Sequence, residues 1–123
     1  MRKLLIITPH LSTGGAPQVT VNKVDLLKNH FEIKVVEHAF VAWAFVVQRN
    51  RIRVLVGDDN FYSLGENKKD ELMQIMQDFK PDVISMEEFP EMFMDDSISR
   101  ELYSTTRPWR IVETTHDSSF NPK

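Results

Sequence analysis

The sequence predicts an α/β fold with a parallel β-sheet, and three features of the pattern lead to this prediction. Short, uninterrupted apolar runs at residues 4–7 and 83–86 suit strands that are buried on both faces of a sheet. Amphipathic stretches with a helical period lie at residues 17–31 and 66–79. Breaks that contain glycine or proline separate the two kinds of segment. Strands that alternate with helices favour a parallel sheet joined by right-handed crossovers.

The first predicted unit is a strand, a glycine turn, a helix and a second strand. The run at residues 4–7 ends at Pro9, and the densest cluster of breakers in the chain, residues 12–17, follows it. Pro17 suits the first turn of a helix, and residues 31–36 then alternate with the period of a strand. The helix is predicted to bury the stripe Val21, Val24, Leu27 and Phe31 and to leave Asn22, Lys23, Asp25 and Lys28 on its other faces.

The later elements repeat this alternation. They are predicted as a strand at residues 52–56, a helix at 66–79, a strand at 83–86, a helix at 95–104 and a strand that begins at 109 and runs out at 114–117. Gly57 is predicted to turn the chain after the first of these strands. The helix at residues 66–79 is predicted to end before Pro81, because the residue that precedes a proline is disfavoured in helical geometry.

Residues 39–47 form an apolar, uncharged segment whose period does not distinguish a helix from a strand. Its alanines favour a helix, whereas its valines and aromatic residues favour a strand. One interpretation is a buried element that links two strands. The other is an exposed apolar patch that contacts a partner or a second domain.

Composition excludes several classes of protein. The 123 residues include 15 basic and 18 acidic ones, a formal net charge of −3 that argues against a nucleic-acid binder. The absence of cysteine excludes disulfide scaffolds and thiolate metal sites. No apolar run is long enough for a transmembrane segment, and the apolar start ends too early, at Pro9 and His10, for a signal peptide. We expect a single cytoplasmic domain over residues 1–123.

Candidate site residues follow the predicted strands at their carboxyl ends, where open parallel sheets bind ligands. Gly14 and Gly15 precede a helix and could bind an anion through backbone N–H groups, although a tight turn explains them equally well. His10 and His116 lie at two such strand ends, and histidine can act there as a base or as a hydrogen-bond donor to substrate. Zinc binding by this pair with a glutamate lacks a local ligand spacing, so no metal is predicted.

Glu87 and Glu88 follow the strand at residues 83–86, and because adjacent side chains face opposite ways, at most one of them points at the cleft. The alternative is that both are solvated loop charges. His30 and His38, which flank the second strand, are assigned no function.

Three stretches resemble motifs of one enzyme family and occur in that family's order. They are the strand end Thr-Pro-His with Ser-Thr-Gly-Gly-Ala-Pro-Gln after it at residues 8–18, Phe-Lys-Pro-Asp-Val-Ile-Ser at 79–85, and Ile-Val-Glu-Thr-Thr-His-Asp at 111–117. They resemble the amino-terminal half of the two-domain (GT-B) retaining glycosyltransferases that use nucleotide sugars, of the group 1, family 4-like type. The resemblance implies a Rossmann-like domain with helices on both faces of an open parallel sheet, which mainly binds the sugar acceptor.

The resemblance also implies roles for single residues. Gly14 and Gly15 would lie near the diphosphate of the donor, and His116, the candidate catalytic residue, would hydrogen-bond the transferred sugar. His10 would lie on the acceptor side, and Glu87 would line the acceptor pocket. The family needs a nucleotide-sugar donor and no metal.

The family's second domain, which holds most of the donor site, has no counterpart in the sequence. We therefore expect an isolated or truncated acceptor half that lacks its carboxyl-terminal partner domain and is inactive alone. The second hypothesis, from a different class, is a non-enzymatic scaffold that forms a homo-oligomer through residues 39–47.

Overall fold

The structure is a computed structural model of the chain, and it describes residues 1–8, 15–38, 47–87 and 96–114. These residues form five β-strands, four α-helices and one 3₁₀ turn. In chain order they are β1 (Arg2–Thr8), α1 (Gly15–Leu27), β2 (Phe31–Glu37), α2 (Val47–Val56), the 3₁₀ turn (Asp58–Asn60), β3 (Phe61–Ser63), α3 (Lys68–Phe79), β4 (Val83–Glu87), α4 (Asp96–Leu102) and β5 (Arg110–Thr114).

The five strands form one parallel sheet in the order β3-β2-β1-β4-β5. The central strand is β1, which pairs with β2 along its full length and with β4 along residues 4–7. Because it is covered on both faces and both edges, β1 can be an uninterrupted apolar run. This explains why the run at residues 4–7 is the clearest strand signal in the sequence.

Each face of the sheet carries its own apolar core. On one face, termed the α1 face, α1 and α2 pack over alternate residues of β1 and β2, and the buried members are Leu4, Ile6, Val21, Val24, Ile33, Val35 and Ile52. On the opposite face α3 and α4 pack over the sheet, and the buried members are Leu5, Ile7, Val36, Leu64, Leu72, Met76, Phe79, Ile84, Met86, Ile98 and Leu102. The predicted Rossmann-like α/β class, with helices on both faces of a parallel sheet, is confirmed.

The strand predicted at residues 52–56 is wrong, because this segment is the second half of α2. Arginines alternate with apolar residues here and imitate the period of a strand. Ile52 is fully buried whereas Val54 is 84% exposed, so the two residues lie on different sides, as positions two apart do on a helix. The third strand is instead β3, whose three residues are too few to show a period.

The predicted helix boundaries are close to the observed ones. α1 begins at Gly15, ahead of the predicted start at Pro17. The helix tolerates this proline because the first N–H groups of a helix have no partner within it, so a proline there removes no hydrogen bond. Gly57 turns the chain after α2, as predicted, with a φ of 87°. α3 ends before its proline: Lys80 has a φ of 53° and its N–H donates to the carbonyl of Met76 at 2.8 Å.

The apolar segment at residues 39–47 lies outside the described residues except for Val47, the first residue of α2. Its conformation and its burial therefore stay predictions. Within the part of the chain that the structure describes, no helix has the length and apolar composition needed to cross a bilayer.

Leu72→Ala is expected to lower the free energy of unfolding by about 2–5 kcal/mol, because Leu72 is fully buried and the shorter side chain leaves a cavity. Leu26→Ala is the matched control, since Leu26 is also a helical leucine but is 74% exposed, and its effect should stay within about 0.5 kcal/mol. Urea denaturation followed by circular dichroism measures both variants. Equal losses would contradict the assignment of the buried helix faces.

Candidate functional site

The order of the strands points to the carboxyl end of the sheet as the place where a ligand would bind. The chain adds β2 and β3 on one side of β1 and then crosses to add β4 and β5 on the other side. Ligands of open α/β sheets bind where the order reverses in this way, outside the carboxyl ends of the strands on either side. Here those strands are β1, which ends at Thr8, and β4, which ends at Glu87.

The α1 face changes from apolar to polar toward this edge. Since alternate residues of a strand share a face, Thr8 continues the α1-face row of β1 and Glu37 continues that of β2. On β4 the same face carries Ser85 and Glu87, because both are contacted by a side chain of α1. All four of these residues are buried. The polar groups therefore form a layer beneath the carboxyl edge, which we term the edge layer: Thr8, Glu37, Ser85 and Glu87.

Lys23 of α1 joins the helix to the edge layer. Its Nζ lies 2.6 Å from Oε1 of Glu87 and donates to the hydroxyl oxygen of Ser85 at 3.2 Å. The side chain of Glu87 is 1% exposed and that of Lys23 is 21% exposed, so the carboxylate is out of water while the lysine keeps some contact with it. A carboxylate buried in this way needs an opposite charge and hydrogen-bond donors to be stable. Lys23 supplies both.

Glu37 is the second buried carboxylate of the edge layer. Its Oε1 accepts a hydrogen bond from the hydroxyl of Ser63, at the end of β3, at 2.8 Å. The backbone around it is also bonded: the N–H of Leu64 donates to the Glu37 carbonyl, and the N–H of His38 donates to the carbonyl of Thr8, each at 3.0 Å. The carboxyl ends of β1, β2 and β3 are therefore tied together next to two buried carboxylates.

The predicted site residues divide into two groups. His10, Gly14 and His116 lie outside the described residues, as does Glu88, so their roles stay predictions. Gly15 is the first residue of α1, the helix that follows the central strand. The free N–H groups at the start of a helix attract anions, which agrees with the reason for selecting this residue.

The burial of Glu87 decides against one of the two interpretations of this residue. The alternative of a solvated loop charge is wrong, because Glu87 is the last residue of β4 and is almost wholly buried. The prediction that it lines an acceptor pocket is not tested by its burial and stays a prediction.

Sequence reasoning missed Lys23 and three residues of the edge layer, namely Thr8, Glu37 and Ser85. Lys23 was placed on a face of α1 other than the apolar stripe, and the contact of its side chain with β4 was not predicted. No local pattern of the sequence indicates this contact, because a lysine on an amphipathic helix is typically solvated. His38, to which no function was assigned, is only 3% exposed and follows directly on Glu37, whereas His30 is exposed.

Metal binding finds no support among the residues that the structure describes, since no group of three or more His, Asp or Glu side chains there could hold an ion. The edge layer offers hydroxyls and carboxylates, and Lys23 adds an ammonium. Such groups bind ligands through hydrogen bonds, which are strongest where one partner is charged.

Lys23→Met is expected to lower the free energy of unfolding by about 3 kcal/mol, because it leaves the buried carboxylate of Glu87 without its cation. Lys28→Met is the matched control: Lys28 pairs with Asp25 on the same helix at 3.1 Å, but both side chains are exposed. Its loss should cost less than about 1 kcal/mol. Urea denaturation at neutral pH distinguishes the two, and a Lys23 effect as small as that of Lys28 would show that the buried pair does not stabilise the fold.

A scan against models of protein families finds no matching family, and a search of curated proteins finds no match. The functional argument therefore depends on the geometry of the edge layer and on the motifs of the sequence.

Proposed function

We propose that this chain is the acceptor-binding half of a retaining glycosyltransferase that uses a nucleotide sugar. The observation that carries the proposal is the buried group of Lys23, Glu87 and Ser85 at the point where the strand order reverses. A buried carboxylate and ammonium give little net stability over apolar residues of similar size, because desolvation offsets most of their attraction. Polar groups placed at this edge of a sheet are better explained by a ligand.

The chemistry of the edge layer suits an acceptor that carries several hydroxyls. A carboxylate accepts hydrogen bonds from hydroxyls, and an ammonium or a serine hydroxyl donates them, so the group can match both roles of a sugar hydroxyl. Glu37 adds a second carboxylate on the same face, beside β1. In this proposal Glu87 lines the acceptor pocket and Lys23 sets its orientation.

The donor is proposed to bind at the start of α1. The N–H groups at Gly14 and Gly15 would stabilise the charge of the diphosphate as it leaves. His116 would hydrogen-bond the transferred sugar, and His10 would lie on the acceptor side. A second domain would supply most of the contacts to the nucleotide, so this chain alone would bind ligand without transferring sugar.

The alternative, a scaffold that self-associates through residues 39–47, gains no specific observation because the segment lies outside the described residues apart from Val47. It stays a hypothesis.

The acceptor site is tested by titrating the ¹⁵N-labelled chain with a panel of mono- and disaccharides at millimolar concentrations. At least one sugar is expected to shift the amide signals at the carboxyl ends of β1 and β4 in a saturable way. Glu87→Gln should weaken this response by about tenfold, the loss of one charge-assisted hydrogen bond. Glu32→Gln is the matched control, because Glu32 is an exposed glutamate on β2 and should leave the response unchanged.

Two results would contradict the proposal. If the wild-type spectrum shows a folded chain and no sugar of the panel shifts a signal at this edge, the proposed acceptor site is wrong. Sugar transfer by the purified chain from any nucleotide sugar would show that it is not merely one half of an enzyme.

A further inference from the structure

A polar pocket lies far from the edge layer, at the amino end of β5. Its volume is about 440 Å³, and it is lined by Thr105, Arg107, Trp109, Arg110 and Ile111. The edge layer is at the opposite end of the strands, so the two features do not share residues. The pocket therefore needs an explanation of its own.

The pocket carries two positive charges that no carboxylate of the described residues balances. Neither Arg107 nor Arg110 forms an ion pair in the part of the chain that the structure describes. Arg53, in contrast, pairs with the carboxylate of Asp58 at 3.0 Å. Two guanidinium groups on one pocket repel each other, and an anion between them would remove that repulsion.

The walls of the pocket are held by bonds to the end of α4. Arg107 donates from Nη1 to the carbonyls of Tyr103 and Ser104, at 3.4 and 3.1 Å. The indole Nε1 of Trp109 donates to the carbonyl of Leu102 at 2.9 Å. These bonds fix the arginine and the indole ring, and Nε of Arg107 is buried without a hydrogen-bond partner among the described residues. The positions of the binding groups are thus set before any ligand arrives, which lowers the entropy cost of binding.

The amino end of β5 is fixed in the same way. The N–H of Arg110 donates to the carbonyl of Asp82 at 3.1 Å, which anchors the backbone to the residue before β4. Its side chain is exposed and free to reach a ligand.

We propose that this pocket binds a phosphate monoester. A dianion matches the two uncompensated guanidinium charges, whereas a carboxylate would leave one of them unbalanced. The planar guanidinium group of Arg110, which is exposed, presents paired N–H donors that fit two oxygens of a phosphate group. Thr105 adds a hydroxyl, and Trp109 provides an apolar wall for the organic part of the ester. This site is independent of the proposed acceptor site and would remain if that proposal failed.

The test is a titration of the ¹⁵N-labelled chain with inorganic phosphate at pH 8 and constant ionic strength, so that general screening by salt does not change. The probe is the indole N–H signal of Trp109. We expect a saturable shift with phosphate and with sulfate, and at least about a tenfold weaker response with acetate. Phenyl phosphate is the second ligand, and its ring is expected to tighten binding over that of inorganic phosphate by contact with Trp109.

The variants separate recognition by this pocket from general attraction to positive charge. Arg110→Gln should weaken phosphate binding by about tenfold, and Arg110→Lys should weaken it less, because lysine keeps the charge without the paired donors. Arg100→Gln is the matched control: Arg100 is an exposed arginine of α4 that does not line the pocket. Equal weakening by Arg100→Gln and Arg110→Gln, or no saturable shift of the Trp109 signal, would overturn the proposal.

Discussion

An ammonium on α1 and a carboxylate on β4 form a contact that ties the helix to the carboxyl end of the sheet. Glu87 lies on the strand that follows the reversal of strand order, and its side chain is almost completely out of water. Without Lys23 the charge would be buried alone, at a cost of several kcal/mol. The contact therefore adds a polar link between α1 and β4 to the apolar packing of the helix. Gly15 is the first residue of the same helix.

The α1 face of the sheet changes in chemical character along the strands. Toward the amino end it is apolar, and residues such as Ile6 and Val35 hold α1 and α2 in place. Toward the carboxyl end, the residues on this face are Glu37, Ser85 and Glu87. They give no hydrophobic stabilisation, and their charges and hydroxyls need hydrogen-bond partners. Departures of this kind from an apolar core are typical of functional sites. The other proposed site, around Arg107, is built differently, since its groups are fixed by backbone carbonyls rather than by a buried ion pair.

Local signals predicted most of the fold and only part of the site. Apolar runs and breaker clusters extend over a few residues, so the fold class, the central strand and the end of α3 could be predicted. Arginines that alternate with apolar residues led to the wrong assignment of residues 52–56 as a strand. Glu87 could be selected because it follows a strand. Its partner could not, because Lys23 lies 64 positions away along the chain and a lysine on an amphipathic helix is typically solvated. The pairing of Glu37 with Ser63 was missed for the same reason, since it joins two strands 26 positions apart.

The most direct test of this account is a double-mutant cycle between Lys23 and Glu87. The free energies of unfolding of the wild type, Lys23→Met, Glu87→Gln and the double variant are measured by urea denaturation under one set of conditions. The account predicts that the double variant is more stable than the sum of the single losses implies, with a coupling energy of at least about 1 kcal/mol. A coupling energy indistinguishable from zero would contradict it, because α1 would then be held over β4 by apolar packing alone.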